Sequence, residues 1–400
     1  MSYACPNPQP MVRDSREGEA MAISLVMYLP DFSTGGAERL NINLAPELVR
    51  RGFDVTFVVH KVQGGLVPVV PSGIRVVTLE AKRTLGALLP LVRFLRREKP
   101  DLLLSSLGPN NIIAIWAAIL ARVKTRVIAS LHNSMLGENL INNWQLKIMP
   151  FMYRRFLWAA DGIIAVSEAV AVELAAMTGI PRDRVTMIHN PVITDDFNKR
   201  LKEPILHPWL KDNGTPVVLG VGRLVAQKDF ATLLEAFALV VRERSARLIL
   251  LGEGELRESL LKQAHRLDIA DKVYLAGFVL NPLPFMLHAG VFVLSSRFEG
   301  FGNVLVEALA CGTPVVSTAC KGGPEEILDG GRFGRLVPVG DAKAMAYAIS
   351  AALAEEPKRD ELRARGRSFT VARAAALYEH LFYKLHFGPE RLNPDTSADY

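Results

Sequence analysis

Cysteine is scarce in this sequence. There are three in 400 residues, Cys5, Cys311 and Cys320, scattered and odd in number. Neither a disulfide framework nor a zinc ligand set follows from them, and a reducing, cytoplasmic setting is expected. Long apolar runs are missing as well. The longest covers residues 112–121, whereas a bilayer span needs about 20 residues, so the chain is expected not to cross a membrane. The basic-then-apolar pattern of a secretory signal is absent from the amino terminus. Residues 1–20 are polar and carry Pro6, Pro8 and Pro10, and they read as a disordered tail; residues 388–400, with Pro389 and Pro394, read the same way. No Asp-x-Asp pattern is present to chelate a metal. Two turns, Gly220-Val221-Gly222 and Gly252-Glu253-Gly254, begin like a dinucleotide-binding fingerprint. Val225 and Arg257 occupy the place of its third glycine, which weighs against an ordinary NAD enzyme.

Half of the residues are hydrophobic and 22% are charged, a composition that excludes a disordered chain. A length of 400 residues suggests two domains, because single cores stop growing at roughly 250–300 residues. The charge is uneven. Residues 1–200 hold 23 Lys/Arg against 17 Asp/Glu, and residues 201–400 hold 24 against 24, so the whole net charge of +6 belongs to the first half. Residues 82–126 carry nine of those cations, interleaved with Leu, Phe and Ile as in LVRFLRREK. Such a surface suits anionic lipid, or it is a solvated helix face. No nucleic-acid partner is expected.

Apolar strands alternate with amphipathic helices from residue 23 onward, the pattern of a parallel sheet covered on both faces. The first alternation ends near residue 193. Residues 194–216, with Pro204, Pro208 and Pro216 and no apolar period, read as a linker, and a second alternation starts at residue 217. The expected fold class is α/β, with two doubly wound parallel-sheet domains facing across a cleft: residues 21–195, joined by a carboxy-terminal helix at 372–387, and residues 196–371.

Residues 295–328 (SSRFEGFGNVLVEALACGTPVVSTACKGGPEEIL) form a strand–loop–helix–strand unit. The loop lies at the carboxyl end of a strand, where open α/β sheets bind ligands. The helix starting near Asn303 offers free N–H groups and a positive dipole end to a phosphate. Glu299 lies in the loop and Glu307 one turn into the helix; carboxylates there could hold vicinal hydroxyls of a ribose and of a second polyol, or simply face solvent. After Gly222 come Arg223 and Lys228, two cations that match a diphosphate, Arg as a fork and Lys as a point charge. Gly35-Gly36 falls between a strand and a helix, so the backbone there can approach a ligand or merely turn tightly. His132 follows a strand and is a candidate to touch a reacting sugar, or an ordinary surface histidine. The aromatic, Met-rich stretch 144–158 reads as core helix, or as acceptor or membrane contact.

Taken together, the E-x7-E spacing of Glu299 and Glu307, the run FGNVLVEALACGTPVVST, Gly222-Arg223-Leu224 with Lys228, Gly252-Glu253-Gly254, Gly35-Gly36-Ala37-Glu38, Val166-Ser167-Glu168 and Asn190-Pro191 resemble glycosyltransferase family 4, a retaining, metal-independent family of the GT-B fold. The resemblance implies transfer from a nucleotide sugar, UDP before GDP. The basic first domain points to a lipid-linked or surface-polysaccharide acceptor, in the cytoplasm or at the inner face of the cytoplasmic membrane. The resemblance implies no cofactor. Arg223 and Lys228 would bind the diphosphate, Gly222 would let it approach, and Glu307 would hold the ribose. Glu299 would hold the donor sugar, with Phe301, Gly302, Asn303 and Val304 presenting backbone. Gly36 would close over donor or acceptor, His132 would sit beside the donor sugar, and Gly277 and Phe278 would bracket the base. A GT-B epimerase or phosphorylase, or a transferase to a small-molecule acceptor, is the alternative.

Overall fold

A computed structural model describes residues 22–388 except 34, 135–143, 206 and 212–213. The expected amino-terminal tail, and the expected carboxy-terminal one apart from Gly388, lie outside the described residues. Two parallel sheets organise the chain. The first has seven strands in the order β3-β2-β1-β4-β5-β6-β7: β1 (Ser24–Leu29), β2 (Asp54–Val59), β3 (Arg75–Thr78), β4 (Leu102–Ser106), β5 (Arg126–Leu131), β6 (Gly162–Ala165) and β7 (Val185–Met187). The second has six, in the order β10-β9-β8-β11-β12-β13: β8 (Val217–Val221), β9 (Arg247–Leu251), β10 (Val273–Gly277), β11 (Val291–Leu294), β12 (Val315–Thr318) and β13 (Arg335–Val337). The central strands are continuous apolar runs because helices cover both faces; all of β11 and β12 is buried.

In each sheet the order reverses beside the first strand of the unit, β1 next to β4 and β8 next to β11. Those switch points are where a doubly wound sheet opens a crevice at its carboxyl edge. The helices Gly36–Arg50 and Asn303–Cys311 start at these two edges.

The linker is more structured than its composition suggests. It contains the short helix Phe197–Leu201, and Phe197 is buried. The chain crosses between lobes twice at adjacent places: Val192 and Ile193 donate to the Phe369 carbonyl, and Val371 donates back to Ile193. One apolar cluster runs through this hinge, from Ile163 and Val185 by way of Val192, Phe197 and Phe369 to Phe301 and Leu305. The final helix, Val371–Phe387, packs on the first sheet: Ala374, Ala375, Tyr378, Leu381 and Phe382 share a buried cluster with Leu25, Met27, Phe53 and Phe57. Arg51 pairs there with Glu379 and donates to the Ala372 carbonyl.

Candidate active site

The donor-side residues converge at the carboxyl edge of β8 and β11. A hydrogen-bonded splint sets the geometry. Ser295 donates to the Lys228 carbonyl, Gln227 donates to the Phe298 carbonyl, and the Arg297 guanidinium binds Asp229 at 3.1 Å. This ties the turn at 226–229 to the loop at 295–299. It brings Lys228 Nζ to 2.5 Å from Glu299 Oε1, with the Ser296 hydroxyl donating to the same oxygen at 2.6 Å. Glu299 is 6% exposed. The two residues therefore form one charge-compensated unit.

Arg223 is exposed, and among the described residues no carboxylate pairs with it. Its charge acts on Glu38, in the helix Gly36–Arg50 of the first lobe. Burial raises the Glu38 carboxyl and the Arg223 charge works against that rise. Glu38 was quoted in the sequence only as part of a motif, and its place near Arg223 comes from the fold. The Glu38 carboxylate lies over Gly35, where a Cβ would come within 2.2 Å of it.

Glu307 is buried, and burial raises its carboxyl; Arg39 offsets this most, then Arg200. Arg39 comes from the first lobe and donates to the Leu280 carbonyl at 3.0 Å, so both lobes surround Glu307. Neither arginine was singled out in the sequence. Arg39 directly follows Glu38, which is the signal that could have found it.

The paired glycines do not form a phosphate cradle of the dinucleotide type. A Cβ on Gly252 (φ +142°) would lie 1.9 Å from the Gly222 carbonyl oxygen, and one on Gly254 would lie 2.4 Å from that of Leu224. These glycines let two loops meet backbone to backbone, which explains why no third glycine is required. Gly277 accepts from the Gly252 N–H at 2.8 Å and closes the same loop cluster. Phe278 beside it is 45% exposed.

The helix Asn303–Cys311 follows Gly302, which has φ +109° and ψ 53°. Phe301 is buried, and Val304 is partly exposed at the first turn. Asn303 meets the first lobe: its Oδ1 accepts from Asn190 at 2.8 Å, and its Nδ2 is 3.2 Å from where a Cβ on Gly36 would stand. His132 is brought to the same place. A Cβ on Gly300 would lie 1.7 Å from the His132 carbonyl oxygen. The imidazole Nε2 is 3.1 Å from Ser130 Oγ, while Nδ1 is shut off from water without a partner. Burial pushes its pKa down to about 4, so it stands as a neutral imidazole.

The two lobes thus offer two buried carboxylates, Glu299 and Glu307, an arginine with no carboxylate partner among the described residues, a lysine, a helix N-terminus and a neutral histidine. The cations and the helix N-terminus suit an anion, and the carboxylates suit hydroxyl groups.

Comparisons with known proteins give the family and the fold. Residues 34–196 match the family described as Glycosyltransferase Family 4, and residues 202–369 match Glycosyl transferases group 1. The chain is 30% identical over 351 residues to a lipopolysaccharide core biosynthesis glycosyltransferase of Rhizobium meliloti, covering 84% of this chain and 91% of the relative. It is 30% identical over 279 residues to the N-acetylgalactosamine-N,N'-diacetylbacillosaminyl-diphospho-undecaprenol 4-alpha-N-acetylgalactosaminyltransferase of Campylobacter jejuni, covering 68% of this chain and 74% of that one. Among solved structures, Anabaena HepE in complex with UDP and glucose superposes with a TM-score of 0.74 at 22% identity, covering 90% of this chain and 100% of that one. Sucrose-phosphate synthase from Thermosynechococcus elongatus gives 0.72 at 20% identity, covering 90% and 98%. Both structures share the two-lobed fold.

Proposed function

For a chain that belongs to the family 4 glycosyltransferases, we propose retaining transfer of a sugar from UDP to a lipid-linked or surface-polysaccharide acceptor. The carrying observation is the buried Lys228–Glu299 pair, in the same lobe as the exposed Arg223 and the buried Glu307 carboxylate. Two cations suit a diphosphate, and two carboxylates suit the hydroxyls of a ribose and a sugar. Arg223, Lys228 and the N-terminus of the helix Asn303–Cys311 would stabilise the departing diphosphate without a metal. Glu299 accepts from Lys228 and Ser296, so it is held as a hydrogen-bond acceptor for sugar hydroxyls rather than freed as a covalent nucleophile of the glycosidase type. We favour front-face attack, with the departing phosphate taking the acceptor proton. The contact of Gly300 with the His132 backbone would exclude water from the reacting sugar.

The names of two relatives, one of lipopolysaccharide core biosynthesis and one of a diphospho-undecaprenol-linked glycan, support the acceptor class. So does the first lobe. No helix among the described residues is long and apolar enough to cross a membrane. The helices Leu88–Glu98, Gly108–Ala121 and Trp144–Phe156 pack in series, and they and the turn before them expose Leu85, Leu89, Ile119, Ile148 and Phe151 beside exposed Arg93, Arg97, Arg122, Arg154 and Arg155. Apolar side chains ringed by cations suit the surface of an anionic bilayer.

The test is a panel of UDP-sugars with a polyprenyl-diphosphate-linked glycan, run with and without EDTA. Acceptor-dependent transfer with retained anomeric configuration is expected in both. Release of free nucleotide without acceptor would favour the epimerase reading, and an absolute metal requirement would remove the metal-free mechanism.

A further inference from the structure

Three motifs lie beside the donor-side residues: Val166-Ser167-Glu168, the residues around Asn190-Pro191, and the Gly-Gly-Pro loop that ends in Glu325 and Glu326. The fold brings them to one spot on the lobe interface. The helix Glu168–Thr178 belongs to the first lobe, and its first turn has N–H groups with no partner inside the helix. Ser167 supplies its own cap, accepting from Val170. A carboxylate of the other lobe supplies the rest. Glu326 Oε1 accepts from the Glu168 N–H at 2.6 Å and from the Ala169 N–H at 3.2 Å. Its second oxygen lies 3.0 Å from His189 Nε2, in the segment leading to the linker.

Glu326 therefore stands at the positive end of a helix dipole across a domain boundary, satisfying donors that would otherwise face water or nothing. The link continues into the donor loop. The His189 ring stacks on Phe301, with centroids 5.1 Å apart and planes 27° apart, and Ser167 Oγ donates to the Gly300 carbonyl at 2.9 Å. Gly300 is the residue that meets the His132 backbone, and Phe301 directly follows it. The Arg365 guanidinium holds the backbone carbonyls of Glu326 and Ile327 from behind.

We infer that Glu326 is a positioning residue that clasps the two lobes. It caps the helix Glu168–Thr178 from the opposite lobe and, through His189 and Phe301, keeps the donor loop seated against His132. The clasp is independent of which nucleotide or sugar is bound. It predicts that Glu326 governs how often the cleft is assembled, and so acts on turnover rather than on nucleotide affinity.

The experiment uses the full chain. Small-angle scattering without ligand compares wild type with Glu326→Ala and Glu326→Gln. UDP affinity is measured by calorimetry, and kcat and KM with whichever UDP-sugar the wild type turns over. Glu326→Ala is expected to enlarge the radius of gyration beyond replicate scatter and to lower kcat at least ~10-fold, leaving the UDP Kd within about threefold. Glu326→Gln keeps an oxygen that accepts from both N–H groups, and is expected to restore compactness and most of the turnover. A role in fold stability alone would lower the melting temperature of Glu326→Ala without expansion or a split between kcat and Kd, and that result overturns the proposal. Should Glu326→Ala not fold, His189→Phe keeps the stack on Phe301 and removes the Glu326 contact. Expansion with reduced kcat is expected there too, and wild-type scattering with wild-type turnover overturns the clasp. A wild type that binds no UDP would strike at the donor reading, and the scattering would still decide the clasp.

Discussion

Lys228 Nζ lies 2.5 Å from Glu299 Oε1, an ion pair between residues 71 positions apart, with side chains only 15% and 8% exposed. Each partner is also the residue that the sequence assigns to a different part of the ligand. Before a donor binds, the pair keeps both charges compensated in a poorly hydrated place. When a diphosphate arrives, Lys228 can share its three donors between phosphate and carboxylate.

Breaking that pair should be expensive on either side. Removing one partner of a buried pair leaves an uncompensated charge and costs about 3 kcal/mol or more. Lys228→Ala is expected to lose stability on that scale and at least ~10-fold in UDP affinity. Glu299→Gln should keep UDP affinity within a few fold while lowering kcat at least ~100-fold. Urea unfolding and calorimetry on the single and double variants check this, with the double variant more stable than the sum of the singles implies.

Glu307 predicts the opposite balance. Burial raises its carboxyl despite Arg39 and Arg200, so the folded state holds its proton more tightly than the unfolded chain. Its ionisation therefore removes stability as pH rises above the ordinary carboxylate range. Glu307→Gln is expected to raise the melting temperature at pH 7.5 and to weaken UDP at least ~10-fold. Comparing UDP with 2'-deoxy-UDP localises the effect: wild type should discriminate between them, and the variant should not.

His132 gives a stability change on acidification. Its pKa is pushed from 6.5 to about 4 in the fold, so between those values the unfolded chain binds more protons and stability falls as pH is lowered. Urea midpoints from pH 7.5 to 4.5 should decline, and His132→Gln should flatten part of the decline. His60 and His207 are held down as well, so the comparison is made by difference from wild type. As a neutral group, His132 should add no ionisation of its own to the kcat profile around neutral pH.

The apolar, basic face of the first lobe is tested with vesicles. Replacing Leu89 and Phe151, 61% and 70% exposed, by Ser together should lower co-sedimentation with anionic vesicles at least ~10-fold, since each buried apolar side chain is worth about 1.5–3 kcal/mol. Raising the salt should weaken binding of the wild type, and neutral vesicles should bind poorly. Equal binding to neutral and anionic vesicles would remove the electrostatic part.

Much of the donor half was legible in the sequence because its residues are local. Glu299, Asn303 and Glu307 lie on one loop and the helix after it, so spacing alone placed them together, and Gly302 with positive φ marks the break between the two. The two sheets were legible from buried apolar runs. Contacts between the lobes were not. Arg39 near Glu307, Glu38 near Arg223, and Glu326 on the helix Glu168–Thr178 each join residues far apart in sequence. No periodicity encodes such a distance. The close approach of the Gly252 turn to the Gly222 loop was likewise not legible, because it too joins residues distant in sequence.

The return of the helix Val371–Phe387 to the first sheet sets an order of assembly. Phe382 meets Phe53 at 5.6 Å between ring centroids, and Arg51 waits for Glu379, so the lobe made first on the ribosome is finished last. The second lobe has its whole sheet by Val337 and can close while the first still exposes Leu25, Met27 and Phe57. Where amino-terminal domains ordinarily complete first during synthesis, here the second lobe can close before the first. Docking of the helix Val371–Phe387 is the step that completes the first lobe.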